Sequence, residues 1–299
     1  VGRRYDTISF LSDFGTSDEH VGVVRAIVRD LAPHVAVVDL THAVPAFDTR
    51  AGGLALARCT PYLPEGVVLA VVDPGAGTDR RAIAVEVADG AGVFVGPDNG
   101  LLAPAVAMAG GAGRVIDLTD DAYHLGTPTR LFPGRDVYAP VAAHLCNGVD
   151  LAEFGEIVDP DTLMPGTVPL PRDEGDVVIG EILHTDRWGN CQLNVAPDEV
   201  AHLVRDGRVR IIVDGPVGDP RRPERTIRVA RTVESFAEIG VGAVGLVVDG
   251  SGMISLALDR RSAADDLAAA VGDQVTFAVL DDEQPGLTSP VTLRTTPPR

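Results

Sequence analysis

The sequence predicts an α/β N-terminal domain, a mixed or parallel sheet with flanking helices, followed by a small β-rich domain that is a barrel or a sandwich. Three observations carry this expectation. Strand and helix signals alternate through the first half, and short strand-like runs punctuated by turns fill the second. A chain of 299 residues, 45% hydrophobic and 23% charged, has ordinary globular composition and is long enough for two cores rather than one.

The elements follow in order. Residues 7–12 form a strand that stops at Asp13-Phe14-Gly15. From Val21 to Leu31, Val21, Val24, Val28 and Leu31 recur at helical spacing, and Pro33 lies just past the end. Residues 35–40 read as a second strand, 49–59 as a small-residue helix, and 67–72 as a third strand running into the glycine-rich segment from Asp73 to Gly77. Two further strands, 82–87 and 92–95, flank a turn at Asp89-Gly90, and helices are expected at 101–109 and 137–147. In the second half the strands are 177–183, 209–213, 226–230, 243–248, 254–258 and 274–280. The domains are therefore placed at 1–168 and 177–299 with a linker at 169–176, and Thr295 to Arg299 is expected to fray.

Composition removes several function classes. All 25 cationic side chains are arginine, set against 43 carboxylates for a net charge of −18. Without lysine there is no Schiff base, no pyridoxal phosphate anchor, no P-loop lysine and no Ser-Lys dyad. The acidic balance argues against a nucleic-acid partner and suits a cationic small molecule. The longest apolar runs, 66–72 and 241–248, have strand length and fall short of a bilayer span, so no membrane partner is expected. The start, Val1-Gly2-Arg3-Arg4-Tyr5-Asp6, leads into a strand without a signal-peptide apolar core, which gives an expected cytoplasmic location. Cys59, Cys146 and Cys191 are widely spaced with no CxxC and read as incidental buried thiols.

Polar clusters stand after strand ends at Asp13, Asp39-Leu40-Thr41-His42, Asp73 and Asp98-Asn99. That edge is where open α/β sheets bind ligands, although Asp is also a common turn and N-cap residue. The segment Asp73 to Arg80 is glycine-rich but lacks GxGxxG and has no helix behind it, which argues against a dinucleotide site. His42, His124 and the other histidines lack metal-ligand spacing, so no metal is expected. There is no GxSxG elbow, and neither Ser12 nor Ser251 has an evident histidine partner, which argues against a serine hydrolase. Asp186-Arg187-Trp188-Gly189-Asn190 offers an aromatic face for a purine with Asn190 at its edge, or else Trp188 covers the core. The turn from Asp249 to Gly252 either holds a carboxylate on its backbone N–H groups or merely connects strands.

Taken in order, these segments resemble the S-adenosylmethionine hydroxide adenosyltransferase family, which is related to S-adenosylmethionine-dependent fluorinases and chlorinases. The resemblance runs from about Ile8 to Leu267. It rests on Ser12 to Asp18, Val38 to His42, Asp73 to Arg80, Gly96 to Gly100, Gly134 to Pro140, Asp186 to Asn190, and Gly250-Ser251-Gly252. It implies a C-terminal β-barrel, a homotrimer, and a substrate held between one subunit's N-domain and its neighbour's C-domain, with no cofactor. By motif, Asp13 would bind the ribose hydroxyls, with Asp18, Glu19 and His20 in a further substrate-contact stretch and Phe47 packing a ring on the ligand. Phe132 and Gly134 would also face the substrate. Asp186 would hold the methionine ammonium and Gly250 with Ser251 its carboxylate. Trp188 and Phe236 would flank adenine, read at its edge by Asn190 and the backbone around Arg260.

The implied reaction is attack of water at the ribose C5′, giving adenosine and L-methionine. The sulfonium leaves as a neutral thioether and needs no proton, so the enzyme places the nucleophile in line and dries the site. Asp73 and Arg80 match the family's catalytic Asp and Arg, and Asp73 would orient or partly deprotonate the water. The halogenase branch looks to have Tyr at position 73, and a carboxylate about 4 Å from a halide costs roughly 4 kcal/mol at an effective dielectric of about 20. Two departures keep alternatives in view, halide transfer to 5′-halo-5′-deoxyadenosine or non-catalytic binding. The family's catalytic His is Pro133 here, and Gly134 beside it resembles the chlorinase arrangement as much as the hydrolase one. Asp249, Gly250, Ser255 and Asp259 replace the family's Asn, Ser, Glu and Asn.

Overall fold

The computed structural model describes residues 4–127, 129–215 and 225–280; the tail expected to fray lies outside them. Chain contacts divide the protein into two units that part between Val168 and Pro169.

The first unit is an α/β sheet. Its strands are β1 (Thr7–Ser12), β2 (Ala36–Thr41), β3 (Gly66–Val71), β4 (Ala82–Val87), β5 (Gly92–Pro97), β6 (Val115–Asp117) and β7 (Glu156–Ile157), in the order β2-β1-β3-β5-β4-β6-β7. Strands β2, β1, β3 and β5 are parallel, and β4, β6 and β7 join antiparallel. β3 is buried along its whole length, which is why Val67 to Val72 reads as an unbroken apolar run. Alternate residues supply two cores. Phe10, Leu69 and Val71 meet α1 (His20–Leu31) and α4 (Ala139–Cys146) through Val24, Val28, Val141 and Leu145. Leu11, Val68 and Ala70 meet α2 (Thr49–Cys59) and α3 (Ala103–Met108) through Leu56, Ala105 and Val106. Period-two alternation on both faces of one sheet explains why helices flank it.

The second unit contains β8 (Arg172–Asp173), β9 (Val177–Thr185), β10 (Cys191–Leu193), β11 (Arg208–Asp214), β12 (Arg225–Thr232), β13 (Val244–Val248), β14 (Ile254–Ala257) and β15 (Gln274–Ala278), with short helices α5 (Pro197–Val200) and α6 (Ala263–Leu267). The order β10-β14-β13-β12-β11-β15-β9 closes through a β9–β10 pairing into a seven-stranded barrel. The open choice between barrel and sandwich is thus settled by closure, and β8 adds to the outer edge of β9. Along β11, Val209, Ile211 and Val213 point into a core that includes Ile182, Leu193, Leu256 and Phe277. Cys146 and Cys191 are buried free thiols, whereas Cys59 is only half-buried, a correction to the expectation for all three.

Among the described residues no helix is long and apolar enough to cross a membrane, and no cluster of three His, Cys, Asp or Glu residues could hold a metal ion.

Candidate active site

The parallel strands deliver Asp13, Asp73 and Asp98 just beyond the carboxyl ends of β1, β3 and β5. They do different things. Asp98 is buried and accepts from Arg81 Nε at 2.9 Å, Arg81 Nη2 at 2.6 Å and the Met164 backbone N–H at 2.8 Å. It clasps residues 162–164 to the sheet, so this candidate is a structural brace.

Asp73 is different. Its side chain is 6% exposed, paired with the Arg80 guanidinium, and accepts from the Tyr138 hydroxyl at 3.3 Å. The turn from Asp73 to Thr78 folds back through backbone bonds from Ala76 to Asp73 and from Thr78 to Gly75. That reversal returns Arg80 to Asp73. A Cβ on Gly75 would strike the guanidinium, so a bare Cα is what lets the pair form. The pair lies in the wall of a cavity of about 630 Å³ that is also lined by Thr78, His124, Pro133 and Tyr138. Burial pushes the Tyr138 phenol well above its ordinary range, so it acts as a hydrogen-bond donor.

Tyr138 reaches Asp73 from a π-helical turn, Gly134–Tyr138, that takes up the first two residues of the helix expected at 137–147, so α4 starts at Ala139. Pro140 has no N–H to donate to the Asp136 carbonyl four residues back. Leu125 N–H takes that carbonyl at 2.9 Å instead and ties the 121–125 segment to the turn. The other end of the turn rests in an aromatic cluster. Phe132 lies 5.5 Å from Phe14 and 5.0 Å from His20 between ring centroids, edge to face. Buried Gly134 fits against both rings, where a Cβ would stand 3.0 Å from Phe14 and 3.2 Å from Phe132. His20, Phe132 and Gly134 are therefore brought together, while Asp18 and Glu19 stay exposed before α1.

Asp13 accepts from the Phe47 backbone N–H at 2.9 Å. Phe47 has φ 67° and is 72% exposed, an uncommon conformation for a bulky residue and one that presents its ring to solvent. Asp13, Phe47 and the aromatic cluster are not among the residues lining the cavity around Asp73.

The expectation that Ser12 lacks a histidine partner is wrong. Ser12 Oγ lies 2.8 Å from His42 Nδ1, and His42 Nε2 lies 3.3 Å from Asp39 Oδ1, although out of line for a hydrogen bond. Parallel pairing of β1 with β2 brings these residues together across thirty positions. Ser12 is completely buried, so the arrangement braces the strand ends and offers no accessible nucleophile.

In the barrel unit, Asp186 organises its own turn. Its Oδ1 accepts from the Trp188 and Asn190 backbone N–H groups, each at 2.9 Å, and its Oδ2 accepts from Asn190 Nδ2 at 2.8 Å. Trp188 is held 70% exposed, so it does not cover the core, and Phe236 is 56% exposed. The Ala264 N–H donates to Gly189 O at 2.9 Å, joining this turn to the segment after Arg260, which is itself left-handed at φ 51°. Asp249 likewise builds the Gly250-Ser251 turn by accepting from Ser251 N at 2.8 Å, Gln192 Nε2 at 2.5 Å and Ser255 Oγ at 3.1 Å. Gln192 lies on β10, directly after the Asp186–Asn190 turn, so one short strand links both proposed ligand-binding turns. Sequence reasoning missed β10 and gave Tyr138 no task, although Tyr138 sits inside a motif singled out for the resemblance.

Comparison with known proteins adds identity to this geometry. Residues 8–155 match the S-adenosylmethionine hydroxide adenosyltransferase N-terminal domain, and residues 180–276 match the C-terminal domain of the same family. A protein of Salinispora tropica named (R)-S-adenosyl-L-methionine hydrolase is 40% identical over 268 residues, 90% of this chain and 96% of that protein. One of the same name from Thermus thermophilus is 38% identical over 280 residues, 89% and 96% of the two chains. A fluorinase of Actinoplanes is more distant, 25% identical over 234 residues, 70% and 78% of the two chains. A crystal structure of a conserved protein from Thermotoga maritima superposes with a TM-score of 0.81 at 28% identity, covering 91% of this chain and 99% of that one.

Proposed function

The chain belongs to the S-adenosylmethionine hydroxide adenosyltransferase family, and on that premise we propose that it hydrolyses S-adenosyl-L-methionine to adenosine and L-methionine. The observation that carries the reading is the Asp73–Arg80 pair in the cavity wall, with Tyr138 donating to the same carboxylate.

The chemistry follows from what those groups can do. Water attacks C5′ as the C5′–S bond breaks with its electron pair going to sulfur. Methionine leaves neutral, and the proton released from the water passes by way of the Asp73 carboxylate to solvent. Asp73 orients the water by accepting one of its hydrogens, while Arg80 and Tyr138 fix the carboxylate's position. The carboxylate also disfavours a halide in the same place, an effect that Arg80 partly offsets; water is the nucleophile this site prefers. In the same proposal, Asp13 takes the ribose hydroxyls, with Asp18, Glu19 and His20 nearby and Phe47, Phe132 and Gly134 against the substrate. Trp188 and Phe236 flank adenine, with Asn190 and the Arg260 backbone at its edge; Asp186 takes the ammonium, and Gly250 with Ser251 the carboxylate. The solvent-facing rings of Phe47, Trp188 and Phe236 support this assignment. The proposal extends to a homotrimer without a cofactor, as the motif resemblance implies, and to action in the cytoplasm.

The test is incubation of the purified protein with S-adenosyl-L-methionine, with adenosine followed by chromatography. Adenosine from the wild type and at least 100-fold less from Asp73→Ala is expected. Absence of adenosine from a protein that binds the substrate would overturn the reading.

A further inference from the structure

Asp13 directly follows β1, and the group that donates to its carboxylate, the Phe47 N–H, lies on the segment that follows β2. One buried pair joins the two segments. Ser12 Oγ lies 2.8 Å from His42 Nδ1, with Ser12 fully enclosed and His42 buried. The Asp39 carboxylate, 3.3 Å from Nε2, favours the ring proton on that side, which leaves Nδ1 to accept from the Ser12 hydroxyl. The Phe10 ring, on β1, packs edge to face on the imidazole at 4.6 Å between centroids.

The same two residues hold the backbone around Asp13. Ser12 Oγ accepts from the Phe14 N–H at 3.3 Å, and the His42 carbonyl accepts from the Gly15 N–H at 2.7 Å. His42 therefore grips the 12–15 turn twice, once by its ring and once by its main chain. Five residues further on, the left-handed Phe47 aims its N–H at Asp13 Oδ2 at 2.9 Å. That bond fixes the rotation of the carboxylate. Two hydroxyls on neighbouring carbons have a set spacing, and a carboxylate already held in one orientation accepts from both without losing further freedom on binding.

From this network we infer that the Ser12–His42 pair is a positioning device for ribose recognition. It sets the 12–15 turn against the 42–47 segment, and through the Phe47 N–H it orients Asp13 for a vicinal diol. Both side chains are buried and act through Asp13. The role assigned to them rests on the placing of the ribose at Asp13 in the proposed function.

The experiment measures Kd by calorimetry for adenosine and for 2′,3′-dideoxyadenosine, which differ only in the diol, beside kcat and KM for S-adenosyl-L-methionine. The proteins are the wild type, Ser12→Ala, His42→Leu and His42→Asn. Ser12→Ala and His42→Leu remove the hydrogen bond and keep most of the packing. Both are expected to bind adenosine about five- to tenfold more weakly and the dideoxynucleoside within about twofold of the wild type. KM is expected to rise by a similar factor while kcat stays within about threefold. In His42→Asn the amide takes the place of Nδ1, and adenosine affinity is expected within about twofold of the wild type. Equal losses for the two nucleosides in Ser12→Ala and His42→Leu, or unchanged adenosine affinity in both, would overturn the inference alone. A wild type that binds the two nucleosides equally would overturn the placing of the ribose at Asp13 and the inference with it. A wild type that prefers adenosine but makes none from S-adenosyl-L-methionine would overturn the hydrolase reading, and the affinities would still decide the role of the pair.

Discussion

The Tyr138 hydroxyl donates to Asp73 Oδ2 at 3.3 Å from the last residue of the π-helical turn Gly134–Tyr138. The two residues are 65 positions apart, and the bond links the turn to the end of β3. Tyr138→Phe keeps the buried ring and removes only the donor. A hydrogen bond of this kind contributes about 1 kcal/mol, so kcat is expected to fall roughly fivefold with the melting temperature nearly unchanged. Steady-state kinetics beside a thermal melt checks this, and an unchanged kcat would show the bond to be structural only.

Gly75 faces the Arg80 guanidinium at a separation no Cβ can occupy. In Gly75→Ala the flexible guanidinium, rather than the backbone, is expected to give way and leave Asp73. The expected outcome is a loss of roughly tenfold or more in kcat with KM for S-adenosyl-L-methionine within about threefold. A loss confined to KM would place Arg80 in binding instead.

Phe47 combines a left-handed backbone with a solvent-facing ring. Phe47→Gly removes no core packing, and relief of the left-handed strain offsets the added freedom of the unfolded chain. Stability is expected to stay within about 1 kcal/mol while KM rises severalfold, measured by denaturant titration and kinetics. A large loss of stability would mean that the ring packs where the structure shows it exposed.

Glu86 accepts from Arg114 Nε at 3.1 Å and Nη2 at 2.7 Å, and these bonds hold its carboxyl below the usual glutamate range. A lowered folded-state value means that the unfolded chain binds more protons across that interval. The stabilisation is therefore present above the ordinary glutamate value of about 4.3 and is lost as pH falls through the lower folded value. Glu86→Gln is expected to cost about 1 kcal/mol at neutral pH, and the difference from wild type should shrink on acidification below about pH 4. Denaturant melts at several pH values test the sign; a gap that widens in acid would contradict it.

Long apolar elements were legible in the sequence, and short or non-local ones were not. Residues 49–59 read as a helix and form one, since Asp48 caps it by accepting from Ala51 N–H at 2.8 Å. β10 escaped notice because three residues, Cys191–Leu193, are too few to show alternation. The π-helical turn escaped too, because Pro140 reads as an ordinary first-turn proline until its missing N–H is matched to the Leu125–Asp136 bond. The Asp73–Arg80 spacing was visible, but Ser12 against His42 and Tyr138 against Asp73 depend on strand order, which a single sequence does not display.

The most direct measurement incubates the wild-type protein with S-adenosyl-L-methionine and chloride in water enriched in ¹⁸O, followed by mass spectrometry of the nucleoside product. Water attack at C5′ is expected to yield adenosine carrying one ¹⁸O at the 5′ oxygen, together with unlabelled L-methionine. A 5′-chloro-5′-deoxyadenosine product, or adenosine without the label, would contradict hydrolysis at the Asp73–Arg80 site.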